Sequence, residues 1–276
     1  MKGKSETETA TEFETRLDPE ATTNEITSFI RSYVEDAGAD GVVVGLSGGI
    51  DSTVAATVAV EALGSERVLG LVLPTESTTE SNTEDAVGVA ESLGINYEMI
   101  DLQPVVDSFT DAMGGLDEAD DNDKKAVGNS KARLRMASLY YVANARDLLV
   151  LGTGNRTELL LGYFTKYGDG GVDLLPIGDL YKTEVRELAR HVGVPDRIVE
   201  KTPTAGLWEG QTDEAELGAP YETVDEILRL MVSSDVDLDD SEIAESIDTD
   251  VDTETVSGLR RMYESAEHKR TVPPTP

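Results

Sequence analysis

An unbroken apolar run, Gly41-Val42-Val43-Val44-Gly45-Leu46, passes directly into Ser47-Gly48-Gly49-Ile50-Asp51-Ser52 and then into the helix-favouring stretch from Thr53 to Gly64. Short continuous apolar runs of this kind form strands buried on both faces, which occur almost only in parallel sheets covered by helices. Strand, small polar loop and helix therefore make one unit of an α/β fold. Two adjacent glycines let the backbone pass close to a ligand, and the amides and hydroxyls around them suit an anion held at the start of a helix. The loop is a phosphate site in chemistry, although no Gly-Lys-Ser/Thr closes it in the manner of a P-loop. The plain alternative is a glycine turn with a Ser or Asp cap.

The same alternation continues. Residues 67–74 and 95–102 read as further strands, with a helix over 82–93 between them. A helix and the acidic loop 114–123 follow, then a long helix over 126–147 and a fourth strand at 148–153. An amphipathic helix over 24–37 precedes the first strand, carried by Ile26, Phe29, Ile30 and Val34. The expected fold is α/β: a doubly wound, Rossmann-like parallel sheet with flanking helices and right-handed crossovers. Ligands of such sheets sit beyond the carboxyl ends of the strands, where both the glycine loop and Gly152-Thr153-Gly154-Asn155-Arg156-Thr157-Glu158 fall. Past residue 160 long loops, 165–178 and 202–220, flank a helix over 182–192, and loops of that length are binding elements when ordered. Residues 235–254 are rich in acids without a base, yet Ile243, Ile247 and Val251 keep one apolar face. They read as a single surface helix, with a metal-binding acid cluster as the weaker alternative. Residues 1–20 are polar and expected to fray, and 21–276 are expected to form a single domain.

Charge and cysteine usage narrow the function. The 55 Asp and Glu residues against 23 Lys and Arg give a net charge of −32, which repels nucleic-acid phosphates and anionic membranes. The expectation is no nucleic acid, no membrane, and a surface adapted to high salt, where screening removes self-repulsion. No run approaches the ~20 apolar residues of a membrane span, and the polar start is unlike a secretory signal, so a cytoplasmic protein is expected. Cysteine is absent, which excludes disulfides, cysteine-held metals and a thiol nucleophile.

Ser47 to Ser52 resembles the SGGxDS loop of the ATP pyrophosphatases, in the adenine nucleotide alpha hydrolase superfamily, which cleave ATP between its α and β phosphates. Asp51 then needs a hard cation to stand beside a triphosphate, and magnesium is the expected one. Glu158 is an ordinary first-turn helix acid when taken alone; at a neighbouring strand end it is the second expected magnesium ligand.

Gly162 to Ala189, with Lys131 to Met136, Thr202 to Gly218 and His268 to Arg270, resembles the NAD synthetase family over residues 24–270. The resemblance implies ATP contacts at Gly45, Leu46, Ser47, Gly48, Gly49, Ile50, Asp51, Ser52, Thr153, Lys182 and Thr204. It implies catalytic parts for Asp51, Lys182 and Thr204, and magnesium on Asp51 and Glu158. Contacts to deamido-NAD fall on Arg133, Lys166, Asp173, His268 and Lys269. Asp169 shares their loop without an assigned role. Cations suit an acceptor with two phosphates and a carboxylate, although each alone is an ordinary surface charge. His191 reads as a residue of the 182–192 helix, and Trp208 as packed under its loop.

The implied reaction joins ATP, deamido-NAD and ammonia: the nicotinate carboxylate attacks the α phosphorus, pyrophosphate leaves, and ammonia displaces AMP from the acyl adenylate. Glutamine-dependent relatives are longer and use a cysteine nucleophile, so free ammonia is the expected nitrogen donor. GMP and asparagine synthetases and tRNA thiolation enzymes share SGGxDS, but thiolation wants cysteines and a basic RNA-binding face. A nucleotide-sensing protein of similar fold has little use for the Asp51 and Glu158 pair. The resemblance also implies a homodimer, with the 126–147 helix as the favoured interface.

Overall fold

The computed structural model describes residues 17–114, 121–204, 212–232, 238–247 and 251–275. In chain order the first part runs α1 (Pro19–Ala37), β1 (Gly41–Gly45), α2 (Ile50–Leu63), β2 (Val68–Val72), α3 (Glu80–Leu93), β3 (Asn96–Met99), α4 (Gln103–Ala112), α5 (Asp121–Ala145) and β4 (Leu148–Leu151). The second part is helical: α6 (Arg156–Leu161), α7 (Lys182–His191), α8 (Asp196–Val199), α9 (Asp213–Leu217), α10 (Tyr221–Val232), α11 (Asp240–Ser246), α12 (Thr253–Ser265) and α13 (Glu267–Arg270).

The four strands are parallel in the order β3-β2-β1-β4. The chain winds outward from β1 to β3, then returns through α4 and α5 to lay β4 on the other side of β1. Strand order therefore reverses between β1 and β4, and such a reversal opens a crevice at the carboxyl ends of the two strands. Val42 and Val44 face a cluster shared with α1, α2 and α7, whereas Val43 faces Val142 and Ala143 of α5. All three valines are fully buried, each contributing about 1.5–3 kcal/mol. Helices on both faces make the sheet doubly wound, as expected, and β1 is apolar throughout because neither face meets water.

Several boundaries move. Helix α1 starts at Pro19 rather than residue 24, because Asp18 caps it by accepting from the Ala21 amide at 3.1 Å and proline occupies its first turn. Pro19 and Glu20 are therefore helical and not frayed; residues 1–16 lie outside the described residues. The second and third strands are shorter than 67–74 and 95–102, and β3 is an edge strand with mostly exposed side chains. Helix α5 starts at Asp121 and ends at Ala145, before Asp147 turns with φ of 53°. Helix α2 begins inside the glycine loop at Ile50, placing Asp51 in its first turn.

Residues 235–254 do not form one surface helix. Helix α11 ends at Ser246 and α12 starts at Thr253, each behind its own aspartate cap, Asp239 and Asp252. Ile243 and Ile247 are buried in a second core with Tyr221, Val224, Ile227, Leu228, Val256 and Leu259. That core fastens α10, α11 and α12 to α6, beside the crevice. Among the described residues no helix is long and apolar enough to cross a membrane.

Candidate active site

A cavity of about 770 Å³ opens over the carboxyl ends of β1, β2 and β4. Its floor is the glycine loop. Gly48 has a φ of 74°, and a Cβ there would lie 2.3 Å from the carbonyl oxygen of Asn82, so only glycine lets the loop pass under α3. Hydroxyls knit the turn: Ser47 Oγ lies 3.0 Å from Ser52 Oγ, and Ser52 Oγ and Thr53 Oγ1 donate to the Gly49 carbonyl at 3.1 and 2.8 Å. No side chain caps the amino end of α2, which leaves its first-turn amides as anion donors.

Asp51 and Glu158 leave the ends of adjacent strands and converge on one cation. The Lys182 ammonium, first residue of α7, donates to Asp51 Oδ2 at 2.5 Å and lies 3.9 Å from Glu158 Oε1. Lys182 is only 2% exposed. Burial opposes its charge, but Asp51 and Glu158 outweigh that and hold its pKa above the ordinary lysine value. Desolvation, followed by the Asp51 charge, pushes Glu158 above the usual carboxylate range. The local charge is thus short of positive partners.

Asn155 ties the two carboxylates together. It is fully buried and caps α6: its Oδ1 accepts from the Glu158 amide at 3.0 Å, its own amide donates to Glu158 Oε2 at 3.2 Å, and its Nδ2 donates to Asp51 Oδ1 at 2.9 Å. The Asn-x-x-Glu spacing of this capping box is visible in the sequence, but its reach to Asp51 is not.

The walls bring in groups to which the sequence had given no role. Lys201 donates to the Gly48 carbonyl at 3.2 Å and to Asp85 Oδ2 at 2.7 Å, fastening the glycine loop to α3. Arg135 donates to the Leu73 carbonyl and the hydroxyls of Thr75 and Thr78. Asp213 accepts from Tyr163 and Tyr221, and its amide donates to the Pro203 carbonyl at 3.1 Å. Lysines are scarce enough that Lys201, one residue before Thr202, could have been suspected; Asp213 lies within the family-like stretch Thr202 to Gly218, but nothing in its neighbours distinguished it from the other acids there.

Of the residues expected from the sequence, Gly45 to Ser52, Thr153, Glu158, Lys182, Thr204 and Lys269 line this one cavity. Lys269 donates to the carbonyls of Gly162 and Phe164 at 2.6 and 2.9 Å, so the carboxyl-terminal helix seals one wall. Arg133 is exposed on α5. Lys166 donates to the His268 carbonyl, and the His268 ring nitrogen Nδ1 lies 2.9 Å from the Ser265 carbonyl. Asp173 faces the sheet, accepting from the Tyr140 hydroxyl at 2.9 Å and the Val150 amide at 2.7 Å. These four do not line the cavity. Asp169 does; desolvation raises its pKa, and the hydrogen bond from the Thr165 amide opposes the shift. His191 is the last residue of α7, and Trp208 lies outside the described residues.

The family described as NAD synthase matches residues 22–273. The NH3-dependent NAD+ synthetase of Methanosarcina acetivorans is 50% identical over 220 residues, 79% of this chain and 82% of that protein. Among solved structures, NMN synthetase from Francisella tularensis superimposes with a TM-score of 0.82 at 33% identity, covering 94% of this chain and 99% of that one. NH3-dependent NAD synthetase from Campylobacter jejuni does so with 0.77 at 30% identity and the same coverage. A glycine loop, two carboxylates and a buried lysine at the reversal of a parallel sheet, with a match over nearly the whole chain, place this protein in the NAD synthase family.

Proposed function

We propose that this chain is an ATP-consuming carbon–nitrogen ligase that amidates deamido-NAD with free ammonia, releasing AMP and pyrophosphate in the last step of NAD synthesis. The observation that carries the reading is the convergence of Asp51 and Glu158 on Lys182 directly above the glycine loop. Gly45 to Ser52, Thr153 and Thr204 hold the nucleotide, and Lys182 donates to the phosphate that gains charge as pyrophosphate departs. The acceptor carboxylate attacks the α phosphorus, the bond to pyrophosphate breaks, and ammonia displaces AMP from the acyl adenylate. Alignment and charge neutralisation supply most of the catalysis in such transfers.

Magnesium fits the residues present. No described group of three or more His, Asp or Glu side chains could hold a metal alone, but magnesium keeps waters and shares phosphate oxygens, so two carboxylates suffice. Asp51 and Glu158 would hold it, and when bound it neutralises phosphate charge. Lys269 on the cavity wall, with Arg133, Lys166, Asp173 and His268 outside its lining, are the deamido-NAD contacts of this reading.

A homodimer is part of the proposal. Tyr141 is exposed on α5, the helix expected at the interface, and Met99, Ile100, Val105, Phe109 and Met113 are exposed between β3 and the end of α4, apolar side chains that a partner subunit would cover. A cytoplasmic setting agrees with the lack of cysteine.

Product analysis after mixing protein, ATP, magnesium and ammonium with deamido-NAD tests the function. A parallel reaction with nicotinate mononucleotide addresses the mononucleotide synthetase among the structural relatives. NAD from the first mixture, in large excess over amide from the second, is expected; amidation of the mononucleotide alone would overturn the proposed acceptor.

A further inference from the structure

One face of α10 carries Tyr221, Asp225 and Arg229 at four-residue spacing, which stacks them along a helix. All three meet the amino end of α7. The Tyr221 ring lies beneath the Lys182 ammonium at 5.3 Å, and Arg229 donates to Glu184 at 2.8 Å while covering the Tyr181 ring at 4.1 Å. Asp225, between them, is 2% exposed. Its Oδ1 accepts from the Thr157 hydroxyl at 2.5 Å and its Oδ2 from the Thr183 amide at 2.8 Å. Thr157 Oγ1 in turn accepts from the Lys182 amide at 3.0 Å.

One buried carboxylate thus joins two elements that arrive from different parts of the chain. Thr157 directly precedes Glu158 on α6, and Thr183 directly follows Lys182 on α7. A carboxylate buried this deeply is costly unless its oxygens are used, and here both are spent on backbone and hydroxyl groups flanking the charged site.

We propose that Asp225 is a positioning residue that acts through Thr157 and the Thr183 amide to hold Lys182 and Glu158 at their working separation around the nucleotide phosphates. This rests on the reading of the cavity as an ATP site. It does not depend on which acid is amidated.

Asp225→Asn keeps the shape and removes the second acceptor oxygen. The test measures affinity for a non-hydrolysable ATP analogue with magnesium by calorimetry, in the wild-type and Lys182→Met backgrounds. Asp225→Asn is expected to weaken binding at least about 10-fold when Lys182 is present and no more than about threefold when it is absent, the remainder being the part carried through Glu158, as befits residues acting through one another. Equal losses in both backgrounds would reduce Asp225 to a general packing role and overturn the proposal. In turnover, kcat should fall at least about 30-fold with KM for deamido-NAD held within about twofold; a change confined to KM would also overturn it. Thr157→Val should reproduce the loss and Thr157→Ser should recover most of it, so the Thr157 pair decides the matter if Asp225→Asn does not fold. Should wild-type protein bind the analogue yet make no NAD, the acceptor assignment fails while the binding arm still judges Asp225.

Discussion

Lys182 and Asp51 are separated by 131 positions in the chain, yet their charged atoms lie 2.5 Å apart at the head of the crevice. The contact exists because β4 lies against β1 and the chain beyond β4 folds back over that junction, bringing the start of α7 to the start of α2.

Removing the lysine charge should leave two carboxylates facing one another. Lys182→Met is expected to lower kcat at least about 100-fold and to lower the thermal midpoint, with millimolar magnesium restoring part of the midpoint. A melt indifferent to magnesium in this variant would count against Asp51 and Glu158 as a cation site.

Asn155 provides a sharper comparison. Asn155→Ala loses the α6 cap, worth about 1–2 kcal/mol. Asn155→Asp keeps the cap acceptor but sets a like charge against Asp51. Urea unfolding and nucleotide titration should therefore show Ala as the less stable cap and Asp as the poorer binder; equal nucleotide affinity in the two would contradict the bridging arrangement.

Gly48→Ala forces an L side chain into positive φ and against the Asn82 carbonyl. Strain of about 1–3 kcal/mol, relieved by moving the loop, should abolish detectable ATP binding while far-ultraviolet dichroism stays near wild type. Retained ATP affinity would mean that the loop is not the phosphate floor.

The pairing of Asp240 sets an acid limit on the α11–α12 contact. Its hydrogen bond from Ser257, then that from Arg260, hold its pKa below the usual aspartate value. A depressed folded-state pKa contributes stability above the unfolded pKa near 3.8, lost as pH falls through the folded value. Asp240→Asn should thus cost stability at neutral pH, with the gap to wild type closing under strong acid. Denaturant midpoints at the two pH values check this, and a constant gap would refute it.

The net charge of −32 implies self-repulsion that salt relieves as the Debye length shrinks from about 10 Å at 0.1 M to about 3 Å at 1 M. The unfolding midpoint should climb with potassium chloride over that range. A flat or falling curve would remove salt adaptation as the reason for the acidity.

Much of the architecture was legible because its signals are local. Val42 to Val44 announce a doubly buried strand, and Gly48-Gly49 announce a close backbone approach. The start of α1 was equally legible, since Asp18 and Pro19 are standard opening residues, but apolar spacing drew attention to Asn24 instead. The break between α11 and α12 was harder: acids fill both sides of it, and the caps Asp239 and Asp252 look like any other surface carboxylate.

Residue order alone dictated the alternation of strands and helices and the anion-binding loop after β1, for these follow from periodicity and backbone freedom within a few residues. Which charges meet was settled by packing. Asn155 reaching Asp51, Lys201 holding Gly48 and Asp225 joining Thr157 to Thr183 all span distant segments. Such contacts depend on which strands and helices become neighbours, a choice made by burying apolar faces far from the polar atoms that profit from it.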